Sequence, residues 1–237
     1  MAVNLAFAAA AAQFADQDAT LLKHIFQTVT AESCPETLNF HMHTVCSDGQ
    51  LTPEHLIEQA LANGLEHFAI TDHHTIDGYY RAQKRLQKWI SAQPHLGPKS
   101  PRLWAGVEIN ANLLESDVHI LCYAFNPDHV AMQPYLQRQL ASGTAYQATQ
   151  VIDAAHAAGG ITVLAHPNRY RQAASELIPA AAQIGIDGVE TFYAYDNPSP
   201  WRPSPRQTHE VYHLAQAYGL LHTCGTDTHG MSLLRRL

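Results

Sequence analysis

The pattern of apolar runs in this chain of 237 residues predicts an α/β barrel. Three observations lead there. Seven strand-like runs are separated mostly by helix-like ones, an alternation that pairs strands in parallel and closes them into a barrel. The length is ordinary for such a barrel built as one domain. Short clusters of candidate metal ligands lie in or just after the strand-like runs, as they do when a barrel assembles one site from many strand ends.

The strand-like runs cover 38–43, 67–72, 103–109, 118–125, 161–166, 188–193 and 221–225. Helix-like runs fall between them. The first opens on Thr52-Pro53-Glu54: Thr52 can cap, Pro53 suits the first turn and Glu54 favours the positive end. Leu56, Ile57, Ala60 and Leu61 then recur at helical spacing, and Gly64 ends the run. Others span 79–90, 134–139, 145–158, 173–184 and 205–218. The interval from Glu108 to His119 is too short for a full helix, so a hairpin or tight loop should make the barrel irregular there. Two Pro-rich stretches, 93–102 and 196–205, read as loops. Residues 8–28 read as a peripheral helical extension, with Phe14, Leu21, Leu22, Ile25 and Phe26 available for docking. The expected division is therefore an N-terminal extension over 1–36 and a barrel domain over 37–237, carrying a small helical insertion at 126–160.

The composition, 46% hydrophobic and 15% charged, is that of a soluble globular protein with ample core. The net charge is −7 and no basic block exists, so stable binding of long nucleic acid is not favoured. Bound divalent ions would offset most of that charge, which leaves anionic substrates open. Cys34, Cys46, Cys122 and Cys224 show no CxxC pairing or disulfide-scaffold spacing, and read as free thiols in a reducing cytoplasm. Residues 1–12 are apolar but lack a basic start and are too short to cross a membrane.

Histidine is the outlier, with 16 residues against 14 Lys and Arg together. The clusters are His41-x-His43, Ser47-Asp48-Gly49, Thr71-Asp72-His73-His74, Gly106-Val107-Glu108, His119, Ala165-His166-Pro167 and Gly225-Thr226-Asp227-Thr228-His229. Side chains on a strand alternate, so His41 and His43 face one side, and Asp227 and His229 repeat that geometry. Glu108 lies in an apolar run, where a lone carboxylate is costly to bury; a bridging metal role removes that cost. Arg169, three residues past His166, should sit on the same rim and can grip a phosphate with its planar fork. Arg171, Arg202 and Arg206 are weaker candidates. Tyr193 and Tyr195 could stack on a base or pack in the core. His209-Glu210-Val211-Tyr212-His213 matches the HExxH pattern, but its helix should pack outside the barrel.

Taken together, these clusters make the chain resemble the polymerase-and-histidinol-phosphatase (PHP) family over residues 39–230. The resemblance implies a distorted seven-stranded (β/α)7 TIM-like barrel with a trinuclear site at the strand C-terminal ends. It implies that His41, His43, Glu108 and Asp227 hold the first metal. Glu108 would bridge to a second, held also by His119 and His166, and Asp48, His73 and His229 would hold a third. The ligands are nitrogen and oxygen, which suits Mn²⁺, Fe²⁺ or Zn²⁺. Asp72 and His74 would orient ligands or close the site. The chemistry implied is attack on phosphorus by a metal-bridging hydroxide, with no Ser or Cys nucleophile.

Stand-alone proteins of this kind include nucleoside 3′,5′-bisphosphate phosphatases, short-RNA 5′→3′ exonucleases and histidinol phosphatases; the contexts of His166 and Gly225–Gly230 point toward the first two. Small phosphorylated substrates, nucleotides among them, are expected over long polymers. The competing readings are an amidohydrolase and a structural PHP module. The first commonly bridges its metals through a modified Lys, and this chain has no Lys after Lys99. The second often loses ligands, and all nine are present here.

Overall fold

In the computed structural model, residues 17–93, 95, 97 and 100–237 are described. Seven strands follow one another in a single sheet: β1 (Leu38–Asn39), β2 (His67–Ile70), β3 (Arg102–Leu113), β4 (Ser116–Tyr123), β5 (Ile161–Leu164), β6 (Gly188–Phe192) and β7 (Leu221–Cys224). The two ends meet. Phe40 N donates to Cys224 O at 3.0 Å, Asp227 N to His41 O at 2.8 Å and His43 N to Thr228 O at 3.0 Å, so the sheet is a nearly closed barrel. Gly225 permits that closure, because a Cβ there would lie 2.2 Å from the His41 Cβ.

Around the barrel pack α2 (Pro53–Asn63), α3 (Asp77–Ser91), α4 (Ala148–Ala157), α5 (Ala174–Gln183) and α6 (Pro205–Ala217); α1 (Ala19–Phe26) precedes them. Helix α2 ends as its sequence predicts. Thr52 Oγ1 accepts the His55 N–H at 3.2 Å, Pro53 fills the first turn, and Gly64 takes φ 80°. The larger apolar core, including Leu56, Val107, Val151 and Leu177, lies between the sheet and these helices.

Parallel pairing fails at one strand. Strand β4 is antiparallel to both β3 and β5, because Leu114 and Glu115, at φ 52° and 60°, form a two-residue turn. So short a link can only reverse the chain, whereas parallel strands need a long crossover. Glu108 therefore lies inside β3 rather than at its end, and Asn110 pairs directly with His119 across the hairpin. The helix expected over 134–139 is also absent: a 3₁₀ turn, Val130–Tyr135, contains Pro134, and 136–142 follow without regular structure. Arg138, at φ 59°, takes the left-handed conformation, which interrupts a helix there.

The N-terminal extension is not peripheral. Leu22 and Phe26 are fully buried, and the Phe26 ring stands edge-on to Phe40 at 4.9 Å and Tyr123 at 5.6 Å. These residues belong to the second core cluster, with Trp104, Val163 and Cys224, which fills the barrel. Lys23 reaches Asp187, just before β6, at 2.8 Å. Helix α1 thus plugs the end of the barrel opposite the strand C-termini. Leu21 stays exposed and Ile25 half-buried. Phe14 and the helical reading of 8–16 lie outside the described residues, as do Pro94 and Pro98 of the first loop.

Candidate metal centre

All nine expected ligands converge at one end of the barrel, seven from or just after the C-terminal ends of parallel strands, Glu108 from within β3 and His119 from the first half of antiparallel β4. His41 Nε2 lies 3.0 Å from Glu108 Oε2 and 3.3 Å from Asp227 Oδ1, and His43 Nε2 lies at the same two distances from the same two oxygens. All four side chains are buried. Metal bonds of roughly 2.0–2.2 Å at tetrahedral or octahedral angles set neighbouring donors about 2.8–3.6 Å apart. The spacing of these four atoms fits one ion.

Glu108 turns its two oxygens to different partners. Oε2 faces His41, His43 and, at 3.6 Å, His73; Oε1 faces His119 Nδ1 at 2.7 Å and His166 Nε2 at 3.3 Å. On the other flank Asp48 Oδ2 lies 3.2 Å from His229 Nε2 and 3.7 Å from His73 Nε2, and Asp48 Oδ1 lies 3.4 Å from His43 Nδ1. Three groupings result: His41, His43, Glu108 and Asp227; His43, Asp48, His73 and His229; and His73, Glu108 and His119. His166 belongs to none of them, although it adjoins Glu108 Oε1.

The electrostatics also fit a cation. Burial alone works against the charged ring of His41, yet Glu108, Glu190 and Asp227 outweigh it and raise its pKa well above the usual value. His43 rises to about 9, because Asp227 and Glu108 likewise overcome burial. Burial works upward on Glu108 and Asp227, but the neighbouring imidazoles hold both well below the carboxylate range. His73 falls to about 4 through burial. Meanwhile His43 Nδ1 and Nε2, His73 Nδ1 and His166 Nδ1 are buried without a hydrogen-bond partner. His43 Nε2 is thus within reach of two oxygens but not aimed as a hydrogen bond. Unpaired polar atoms at such depth are costly, and coordination satisfies them.

Neighbouring residues hold the candidate ligands in place. Asp72 Oδ1 accepts from Thr44 N and Ser47 Oγ, each at 2.7 Å, and Oδ2 accepts from Thr44 Oγ1 at 2.7 Å. It therefore shapes the loop that carries Asp48. His74 Nε2 meets Asn110 Oδ1 at 3.0 Å, and Asn110 Nδ2 meets His119 Nε2 at 3.1 Å, so His119 presents Nδ1 to Glu108. Arg169 Nη1 and the Tyr193 hydroxyl donate to Asp227 Oδ2 at 2.9 and 2.7 Å. Tyr193 is buried and packs within the site, and the half-buried Tyr195 ring meets it edge-on at 4.8 Å.

Three contributors escaped the sequence reading. Glu190 Oε1 accepts from His41 Nδ1 at 3.0 Å and Oε2 accepts the His166 N–H at 2.9 Å. Its signal was present: Gly188-Val189-Glu190 repeats Gly106-Val107-Glu108 on another strand. Asn110 follows Glu108 by two residues, on the same face of β3. Arg236, whose Nε donates to Asp227 Oδ2 at 2.7 Å, had no local signal. Among the described residues, Arg171, Arg202 and Arg206 make no ion pair with the clustered ligands. The HExxH segment lies on α6 outside the barrel; His209 Nε2 and His213 Nε2 approach each other at 3.1 Å, and Glu210 takes Asn168 Nδ2 at 3.4 Å. All four cysteines are free, and Cys46 lines the mouth.

Beside the ligands opens a cleft of about 490 Å³, lined by Ser47, Asp48, His73, His119, Arg138 and Leu140 among others. The 136–142 segment overhangs it, held by Arg138 N donating to His74 O at 2.8 Å.

The PHP domain family pattern matches residues 39–226. Among characterised proteins, a 5′-3′ exoribonuclease of Haemophilus influenzae is 35% identical over 103 residues, 44% of this chain and 34% of that protein. The 5′-3′ exoribonuclease Rnm of Salmonella typhimurium is 32% identical over 101 residues, 43% of this chain and 32% of that one. The chain spans about a third of the length of the curated relatives it matches. Among solved structures, an amidohydrolase from Chromobacterium violaceum superposes with TM-score 0.65 at 19% identity, covering 82% of this chain and 88% of that one. A Bifidobacterium adolescentis protein assigned as a metal-dependent phosphoesterase gives TM-score 0.65 at 23% identity, covering 83% and 89%. Both likenesses are of fold.

Proposed function

The chain belongs to the PHP domain family, and on that premise we propose that it is a metal-dependent phosphoric ester hydrolase acting on small phosphomonoesters, nucleoside 3′,5′-bisphosphates foremost. The observation that carries this reading is the buried convergence of His41, His43, Glu108 and Asp227 at spacings that fit one ion. In this reading three positions would take Mn²⁺, Fe²⁺ or Zn²⁺: His41, His43, Glu108 and Asp227 would hold the first, Glu108, His119 and His166 the second, and Asp48, His73 and His229 the third. The contacts of Glu108 on both its oxygens support its sharing between the first two.

Divalent ions in such a site acidify a water for attack on phosphorus and neutralise the oxygens of the phosphate and the leaving alcohol. The protein's own residues prepare the rest. Glu190 takes the proton on His41 Nδ1, which leaves the Nε2 lone pair facing the site. Asp72 fixes the Asp48 loop, and Asn110 lies between His74 and His119. Arg169, more than a third exposed at the rim, binds a phosphate oxygen. The cleft volume suits one nucleotide-sized ligand. Four free thiols support a cytoplasmic setting; no helix among the described residues is long and apolar enough to cross a membrane.

The similarity to 5′-3′ exoribonucleases favours a second reading, removal of nucleotides from the 5′ end of short RNA. A panel of phosphomonoesters, bisphosphates and oligonucleotides, run with and without Mn²⁺, separates the two. Nucleoside bisphosphates should turn over fastest, and His43→Ala should abolish turnover while the far-ultraviolet dichroism is kept. Equal or faster cutting of long RNA or DNA overturns the substrate preference. A purified protein that carries no transition metal and stays inert with added Mn²⁺ overturns the hydrolase reading.

A further inference from the structure

Two guanidinium groups meet at one carboxylate oxygen beside the candidate metal centre. Arg169 Nη1 donates to Asp227 Oδ2 at 2.9 Å, and Arg236 Nε donates to the same atom at 2.7 Å. The Tyr193 hydroxyl is a third donor there and itself accepts from Arg169 Nη1 at 3.2 Å. The other oxygen of Asp227 faces His41 and His43. Two permanent positive charges therefore share one negative charge that is already turned toward the imidazoles. Like charges held so close repel, and a second anion relieves them.

Neither arginine is used up. A guanidinium carries five N–H donors, and each of these touches Asp227 through a single nitrogen rather than a two-pronged fork. Among the described residues, no carboxylate besides Asp227 pairs with either side chain, and the side chains remain 37% and 19% exposed.

Arg236 is held by its own backbone. Arg236 O accepts from His229 N at 2.6 Å and Gly230 N at 3.2 Å, and Arg235 O accepts from Thr228 Oγ1 at 3.0 Å. Leu233 is buried in the core, and its N–H donates to Gln59 Oε1 at 3.0 Å. Gly230 leaves room for this approach, since a Cβ there would lie 2.9 Å from the Leu237 carbonyl carbon. Residues 231–237 are thus locked onto the segment that carries Asp227 and His229.

We propose that Arg169 and Arg236 form a two-guanidinium subsite for a phosphate group of the substrate, and that Arg236 selects a phosphomonoester dianion over a phosphodiester monoanion. The subsite deepens the phosphoesterase reading and rests on it. Two cations beside one carboxylate attract a dianion more strongly than a monoanion, and planar forks match phosphate oxygens.

Calorimetric titration of the metal-loaded protein with inorganic phosphate, and separately with dimethyl phosphate, tests this without turnover. Wild type should bind phosphate at least tenfold more tightly than dimethyl phosphate. Arg236→Gln and Arg169→Gln should each weaken phosphate about tenfold and narrow that gap, and Arg236→Lys should weaken it less. Metal content by mass spectrometry should be unchanged in all of them. Phosphate affinity within twofold of wild type in both Arg236 variants, at equal metal content, overturns the proposal. So does a loss of metal that accounts for the loss of phosphate, since Arg236 would then only support Asp227. If no ester is hydrolysed but phosphate binding follows Arg236, the hydrolase reading fails and the subsite stands.

Discussion

Replacing Glu190 by Gln keeps its shape and changes only its hydrogen-bonding capacity. Glu190 is fully buried and accepts twice, from His41 Nδ1 at 3.0 Å and from the His166 N–H at 2.9 Å. Gln has one acceptor and one donor in those places. If its oxygen keeps the His166 N–H, its amide nitrogen faces His41 Nδ1. The ring must then carry its proton on Nε2, the atom aimed at Glu108 and Asp227, and a protonated nitrogen holds no metal. If the amide turns over, two buried donors confront each other at His166, at a cost of about 1–3 kcal/mol. The metal-ready arrangement is therefore destabilised by up to that amount, about 5- to 150-fold in metal affinity at ~1.4 kcal/mol per tenfold. Losses of ~10–100-fold are usual when a ligand's hydrogen-bond partner is changed. Titration of Mn²⁺ against a chelator measures this directly, and the metal-free variant should melt within a few degrees of wild type. Affinity within twofold of wild type would show that Glu190 does not set the tautomer of His41.

Two further outcomes follow from the same structure. Phe26→Ala empties the base of the barrel, where the ring meets Phe40 and Tyr123, and should cost about 3–5 kcal/mol in urea unfolding while metal content is retained; a loss below about 1 kcal/mol would remove α1 from the core. Metal binding should release protons, because the His41 pKa is raised well above its usual value and that of His43 to about 9, while coordination needs neutral rings. Calorimetry in buffers of different ionisation enthalpy should show about one to two protons released per protein near pH 7, and apparent affinity should strengthen as pH rises toward 9. The metal-free fold runs the other way: the stability that charged His43 contributes is full below about 6.5 and is lost as pH passes through about 9. Binding without proton release contradicts this account.

The candidate ligand cluster was largely legible in the linear order. His41-x-His43 flanks the bridge that Met42 makes with Thr228, as the alternation of extended chain predicts, whereas Asp227, at φ 51°, departs from extended geometry. Thr52, Pro53 and Gly64 end α2 as local chemistry requires. The errors came where distant contacts decide. Residues 134–139 begin inside a 3₁₀ turn, and the expected helix is lost at Arg138, whose left-handed backbone is held by the distant His74 O. The helix expected at the periphery proved to be a plug, because a barrel needs something to fill its base and Leu22 and Phe26 were near enough to do so. Glu190 carried the same Gly-Val-Glu signature as Glu108, yet its role depends on β6 lying beside both His41 and His166.

From the sequence alone came the barrel class and the irregularity between Glu108 and His119, which depend on periodicity and connection length, and, through the family resemblance, the candidate ligand set. Only the tertiary structure decided which way β4 runs, which oxygen of Glu108 meets which imidazole, and that the Arg236 side chain returns to Asp227 beside Arg169. Those facts depend on where the chain's return path brings distant segments together. Backbone bonds such as His229 N to Arg236 O and Asp227 N to His41 O set that path, and no local pattern encodes them.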